Sequence, residues 1–285
     1  MRFEMALVQM AVTGGDRPGN LARALAMIAE AAAHGSRLVL LPEAMDLGWT
    51  HPSSRTAAEP LPDGAACRRL AQAAAAHGIH ICAGLTERSG DRVFNSAVLI
   101  GKGGEVLCIH RKINELEIGH PYYAPGDRLS VAHTELGTLG LMICADAFAK
   151  DQVLSRSLCY MGADVILSPC AWAVPGDHDN VKEPYGDTWR NAYQPVAKEF
   201  RVWIAGVSNV GAIDAGPWAG RKCIGCSLVI GPSGAEVLMG PYGAGAEAIL
   251  YVDVEPAERP ARGCGWMEYW KRQPAPASPR ARPTE

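Results

Sequence analysis

The chain has 285 residues and a formal net charge of -3, from 27 Lys and Arg against 30 Asp and Glu. That near-neutral balance announces no basic face, so a nucleic-acid partner has little support. With 48% hydrophobic and 20% charged residues, the composition suits a globular protein with a sizeable core, and one large α/β unit can absorb the length.

Residues 5–10 read as a strand, and residues 20–34 as an Ala-rich helix stopped by Gly35. The N-terminal stretch carries Glu4 and runs into polar TGGDRPGN, which reads as neither a signal peptide nor a membrane span. A short apolar run, RLVLLPE, predicts a buried strand. Residues 63–77 form a second helix ended by Gly78, and IHICAGL follows as a strand. The rhythm then changes, because FNSAVLIG and EVLCIHRK flank a KGG turn and read as a hairpin. TLGLMIC is a strand, residues 151–161 a helix, ADVILSP a strand, 186–201 a helix and VWIAGVSN a strand. CSLVIGP and EVLMG make a second hairpin, with AILYVDV after it. Helix–strand alternation broken by hairpins predicts an α/β fold with mixed sheets. Residues 1–270 read as one domain. Residues 271–285, rich in Pro, Ala and Arg, read as a disordered or extended tail.

Nine cysteines, an odd number spread through apolar segments, do not resemble a disulfide framework. The chain therefore reads as reduced and cytoplasmic. Cys223 and Cys226 form a CxxC, but no second pair lies at zinc-binding spacing, so no metal is expected. His77 and His80 read as surface or cap residues, GAGAE lacks the setting of a dinucleotide loop, and Trp203, Trp266 and Trp270 read as packing residues. Arg280 and Arg282 are too few to bind nucleic acid.

Three reactive or charged residues each follow an apolar strand. Glu43 follows RLVLLP, Lys112 follows EVLCIHR, and Cys144 closes TLGLMI. Functional groups of α/β sheets gather outside the carboxyl ends of strands, so these three can converge at one rim. Each has a plainer alternative: an inert buried thiol, or a solvated Lys or Glu. Cys144 stands at a strand-to-helix junction whose turn N–H groups favour thiolate, predicting a depressed pKa. None of the eight His lies in an obvious Cys-protease context, so a carboxylate is the remaining base, and Glu43 is best placed.

In LPEAMDLGW, IHRKIN and LMICADAF the sequence resembles the Glu, Lys and Cys motifs of the nitrilase, or carbon–nitrogen hydrolase, superfamily. VFNSAVLIGKGGEVL, PGDRLSV, GADVILSPCAW, VSNVG and CIGCSLVIGPSGAEVL extend the resemblance in order, from about residue 4 to about 254. It implies a four-layer αββα sandwich, often dimerised through a helical face, and a Glu–Lys–Cys site with neither metal nor organic cofactor. Glu43 would then be the general base and Cys144 the nucleophile. Lys112 and the Ala145 N–H would stabilise the oxyanion. Trp172 also matches the family pattern and is placed on the substrate side, while Asp146 reads as structural. The resemblance further implies a second Glu shortly after the Lys motif. KINELEIGHPYYAPGD offers Glu115 and Glu117, with His120 nearer the usual position; Glu117, closer to PYYAPGD, is the choice. Ala145 stands where many relatives carry Tyr or Trp, which keeps the backbone donor and changes the pocket wall. The implied activity is hydrolysis of a small carboxamide to acid and ammonia through a thioester. Alternatives are N-carbamoyl or nitrile substrates, or a catalytically silent scaffold. The expected partners are a small molecule and copies of the chain itself, without nucleic acid or membrane.

Overall fold

A computed structural model describes residues 2–258. The tail 271–285, the domain limit at residue 270, and Trp266, Trp270, Arg280 and Arg282 lie outside the described residues. The first half runs β1 (Phe3–Gln9), α1 (Arg17–His34), β2 (Leu38–Leu40), α2 (Ser54–Ala57), α3 (Ala65–His77), β3 (His80–Ser89), β4 (Arg92–Ile100) and β5 (Val106–Arg111). The second runs β6 (Val131–Thr134), β7 (Gly137–Leu141), α4 (Val153–Tyr160), β8 (Val165–Cys170), β9 (Ala173–Pro175), α5 (Asp187–Phe200), β10 (Trp203–Ser208), β11 (Val210–Ala212), β12 (Arg221–Ile224), β13 (Leu228–Ile230), β14 (Glu236–Met239) and β15 (Ala248–Val254).

The strands make two six-stranded mixed sheets, in the orders β15-β1-β2-β3-β4-β5 and β14-β13-β10-β8-β7-β6, with a small third sheet β11-β12-β9. β1, β2 and β3 run parallel, and β4 and β5 return as antiparallel hairpins. β7, β8 and β10 are parallel in the second sheet. The last strand closes the first sheet, from Phe3 opposite Val254 to Gln9 opposite Ala248.

Strand alternation decides which side chains face which layer. On β1, β2 and β3, Met5, Leu7, Leu38, Leu40 and Cys82 pack with Leu139, Leu141 and Leu167 between the sheets. Their neighbours Ala6, Val8, Val39 and Ile81 point the other way, onto Leu21, Ala24 and Ile28 of α1 and Leu70 and Ala74 of α3. Helices α4 and α5 cover the second sheet through Leu158, Tyr193, Val196 and Ala197. The result is the four-layer αββα sandwich. The predicted glycine stops are real: Gly35 (φ 112°) and Gly78 (φ 65°) take the left-handed conformation that ends α1 and α3. At the start of α1, Asp16 caps by accepting from the Gly19 N–H, and Pro18 follows in the first turn.

Two minor expectations change. His80 is buried in β3 and meets Glu135 through Nε2 at 3.3 Å, rather than lying at the surface. His77, the last residue of α3, is exposed as expected. Among the described residues, no helix is long and apolar enough to cross a membrane, no His/Cys/Asp/Glu group could hold a metal ion, and eight cysteines are free thiols, Cys223 and Cys226 included.

Candidate active site

Glu43, Lys112 and Cys144 meet where the two sheets face each other. Glu43 lies three residues beyond β2, Lys112 immediately beyond β5, and Cys144 three residues beyond β7. These ends share one rim because β5, after two antiparallel reversals, runs in the direction of β2 and β3. The first two groups come from one sheet and the thiol from the other.

Each is fixed by its backbone. The Glu43 N–H donates across the sandwich to the Cys170 carbonyl of β8 at 3.2 Å. Its loop also runs tight against β3, where Gly84 N–H donates to Pro42 O and Met45 N–H to Gly84 O. A Cβ at Gly84 would stand 2.5 Å from Glu43 Cα and from Pro42 O, so only glycine permits this approach. Cys144 has φ 44°, a left-handed conformation rare for a side chain that costs on the order of 1–3 kcal/mol. Its N–H donates to Ser168 Oγ at 3.2 Å, and the chain turns at once into the 3-10 segment Cys144–Phe148. The strain turns the thiol out of the strand into the cavity.

Asp146 ties the two halves of the site together. Its buried carboxylate accepts from the backbone N–H groups of Ile113 (3.0 Å), Asn114 (2.8 Å) and Ile143 (2.9 Å), and contacts His110 Nε2 at 2.7 Å. Burial works to raise this carboxyl, but His110 and the backbone donors hold it below the usual carboxylate range. Asn114 adds a bond from Nδ2 to Ala145 O at 2.6 Å. Asp146 thus clamps the segment after Lys112 to the turn after Cys144, a structural part as the sequence suggested.

The clamp also decides the second carboxylate. With the N–H groups of residues 113 and 114 held by Asp146, Glu115 turns back beneath Lys112, three residues away. Lys112 Nζ donates to Glu43 Oε1 at 2.8 Å and to Glu115 Oε1 at 2.9 Å, all three side chains being buried. Asn95 Nδ2 donates to the same two carboxylates, at 2.6 and 3.1 Å. Gly119 leaves the room, since a Cβ there would lie 2.8 Å from Glu115 Cδ. Glu117 opens the 3-10 turn Glu117–Gly119 with its side chain exposed, and His120 is exposed too. Neither joins the cluster, so the choice of Glu117 gives way to Glu115. Asn95 was missed altogether. The signal available was an amide inside the apolar strand VFNSAVLI, where a buried polar group needs partners.

The electrostatics follow from burial. Desolvation alone would push the Lys112 ammonium down, but Glu43 and Glu115 outweigh it and hold it well above the usual lysine range. Burial pushes the Glu43 carboxyl up, and Lys112 opposes while Glu115 adds to the rise. The Cys144 thiol is also driven well above its usual range, first by burial, then by Cys170 and the Glu43 charge, with Lys112 opposing. The expectation of a depressed thiol pKa is therefore corrected. Burial and a neighbouring carboxylate outweigh the turn dipoles.

The three groups open onto a cavity of ≈ 200 Å³. Ala145, at the second position of the 3-10 turn, is buried and borders it beside Cys144, as does Trp172. The Trp172 ring stacks on Trp189 with centroids 4.4 Å apart. Trp49 places its ring 5.4 Å from Lys112 Nζ. A buried thiol, a carboxylate with raised proton affinity and a fixed ammonium on one cavity can perform nucleophilic acyl chemistry.

Comparison with known proteins agrees with that chemistry. The sequence model of the family described as carbon-nitrogen hydrolase matches residues 4–261. The chain belongs to this family. It is 32% identical over 240 residues to a nitrilase of Pyrococcus abyssi, covering 82% of this chain and 83% of that one. It is 29% identical over 268 residues to a chloroplastic omega-amidase of Arabidopsis thaliana, covering 89% and 68%. Among solved structures, Saccharomyces cerevisiae Nit3, a member of branch 10 of the nitrilase superfamily, superposes with a TM-score of 0.76 at 22% identity, over 90% of each chain. The protein is a member of the carbon–nitrogen hydrolase family, and the four-layer fold is the one its sequence motifs implied.

Proposed function

We propose that this carbon–nitrogen hydrolase is an amidase that converts a small carboxamide and water into a carboxylic acid and ammonia. Glu43 takes the Cys144 proton as the sulfur attacks the carbonyl carbon. Lys112 and the Ala145 N–H receive the developing oxyanion. The protonated Glu43 passes its proton to the departing nitrogen, leaving an acyl thioester on Cys144. Glu43 then takes a proton from water as the water attacks the thioester, and the thiol is regained as the acid departs. Glu115 and Asn95 are the positioning groups that keep Lys112 charged and Glu43 oriented.

One observation carries this reading: a buried ammonium held by two carboxylates at 2.8 and 2.9 Å borders the same cavity as a strained, buried cysteine. A fold built only as a scaffold would have no reason to keep such a cluster buried. The test is ammonia release from a panel of amides, N-carbamoyl amino acids and nitriles, with intact-mass detection of the thioester. Turnover confined to nitriles would remove the amidase assignment and leave the Cys144 chemistry in place.

Two further parts of the proposal concern context. The protein works in a reducing compartment such as the cytoplasm, supported by its eight free thiols. It also pairs with a second copy through the face of α4 that exposes Val153 and Tyr160, with Met161 just beyond its end. Light scattering on wild type and Tyr160→Glu tests the pairing. A monomeric wild type would reject it.

A further inference from the structure

Beyond Glu43, Lys112 and Cys144, the cavity presents rings. Trp172, Trp189 and Phe148 form one wall, with Trp172–Trp189 centroids at 4.4 Å and an interplanar angle of 24°, and Phe148–Trp189 centroids at 4.5 Å. Trp49 and Trp218 also line the cavity and meet edge to face at 4.9 Å. Among the described residues that line it, Lys112 is the one cation, and Glu43 and Glu115 already hold that ammonium.

These facts select a substrate by charge and by shape. An amide with a carboxylate at its far end would bury that anion against aromatic faces, with no cation in the lining except Lys112, the nearest other being Arg221 behind the Trp218 ring, and with Glu43 close by. The negative faces of the rings would repel it further. A flat apolar acyl group meets surfaces of its own kind. Size agrees, since a dry cavity of about 150 Å³ holds benzene; ≈ 200 Å³ then fits a ring plus a short amide-bearing arm.

We infer that the enzyme takes uncharged aryl or arylalkyl carboxamides, of about the size of phenylacetamide, and excludes amides that carry a second, ionised carboxyl group. The inference deepens the amidase reading and rests on it for the position of the carboxamide, which sits at the Cys144 end with the ring between the tryptophans.

The experiment separates binding from turnover. Cys144→Ala and Cys144→Ser are each titrated calorimetrically with phenylacetamide and with succinamate, and wild type is assayed for ammonia release from both. At least tenfold tighter binding of phenylacetamide is expected in whichever variant folds, with the same order in wild-type kcat/KM. Succinamate binding within tenfold of phenylacetamide, or no measurable binding of phenylacetamide, overturns the inference. Selective phenylacetamide binding without ammonia release by the wild type upholds the pocket assignment and removes the amidase reading instead. As a second measurement, Thr188→Arg places a cation at the exposed rim of α5 that borders the cavity. It should raise kcat/KM for succinamate at least tenfold relative to phenylacetamide. An unchanged ratio would show that charge does not govern selection.

Discussion

Replacing Glu115 by Gln removes one charge from the cluster and keeps its shape. The amide oxygen of Gln can still accept from Lys112 Nζ, now 2.9 Å from Glu115 Oε1. Glu43 and Glu115 share the same ammonium and the same Asn95 amide, so their charges stand close together. At an effective dielectric of about 20, like charges about 5 Å apart repel by about 3 kcal/mol. Glu115 raises the proton affinity of Glu43, so its loss should lower it. A weaker base then faces a thiol whose own pKa stands well above the usual range. We expect kcat/KM to fall about 10- to 100-fold, within the ~10²–10⁴ that a positioned acid–base group contributes. The acidic limb of the pH profile should move to lower pH, because the cluster gives up its proton more easily. The assay is kcat/KM for one amide between pH 4 and 9, in parallel with Glu117→Gln, which alters an exposed side chain and should stay within about twofold of wild type. An acidic limb that stays in place or moves upward, or a Glu117→Gln effect equal to that of Glu115→Gln, refutes the reasoning.

Cys144→Ala should abolish turnover with little change in Tm, and Lys112→Met should lower kcat by about 10²–10³ or more through loss of oxyanion stabilisation; steady-state kinetics and thermal melts on both variants decide. Gly84→Ala pushes a methyl group against Pro42 O and Glu43 Cα, and should cost about 1–3 kcal/mol together with much of the activity; urea titration beside a rate measurement checks both, and a fully active, wild-type-stable variant would show that the Glu43 loop can move aside. Glu135 meets Lys102, His80 and Arg37, and its carboxyl is held down to about 2, chiefly by Lys102. Its folded pKa lies below the unfolded one, so its contribution is present above about pH 4.5 and fades as pH falls towards about 2. The group is largely solvated, so Glu135→Gln should cost under about 1 kcal/mol at pH 7 and only a small fraction of that at pH 2; a loss that persists undiminished at pH 2 would contradict the electrostatic origin.

The sequence was most legible where local rules suffice. Apolar periodicity placed the long helices and strands, and Gly35 and Gly78 marked their ends, because a left-handed cap depends on one residue and its neighbours. The short strands β6, β9, β11 and β12 escaped notice, since three or four residues carry too little pattern and their pairing is set by distant partners. At the site, Glu43, Lys112 and Cys144 each follow an apolar strand, but it was the resemblance of LPEAMDLGW, IHRKIN and LMICADAF to the family's motifs that singled them out. The second Glu could not be picked out so, because linear proximity to PYYAPGD favoured Glu117, whereas the backbone clamp of Asp146 turns Glu115 inward. The thiol's direction of shift was misread for a related reason: a turn is visible in sequence, but the depth of burial and the charge on Glu43 are products of sheet packing.

Glu43 and Lys112 stand on one sheet and Cys144 on the other, with Asp146 reaching from the nucleophile's turn to His110 on β5. Catalysis in this molecule is therefore a gauge of how the two sheets are seated. A misplacement of about 1 Å between reacting groups can cost about 10²-fold in rate, whereas the secondary structure of each sheet would barely register it. On gentle heating or in dilute denaturant, activity should fade while circular dichroism is still intact. The interval between the two transitions then measures how firmly the layers grip one another.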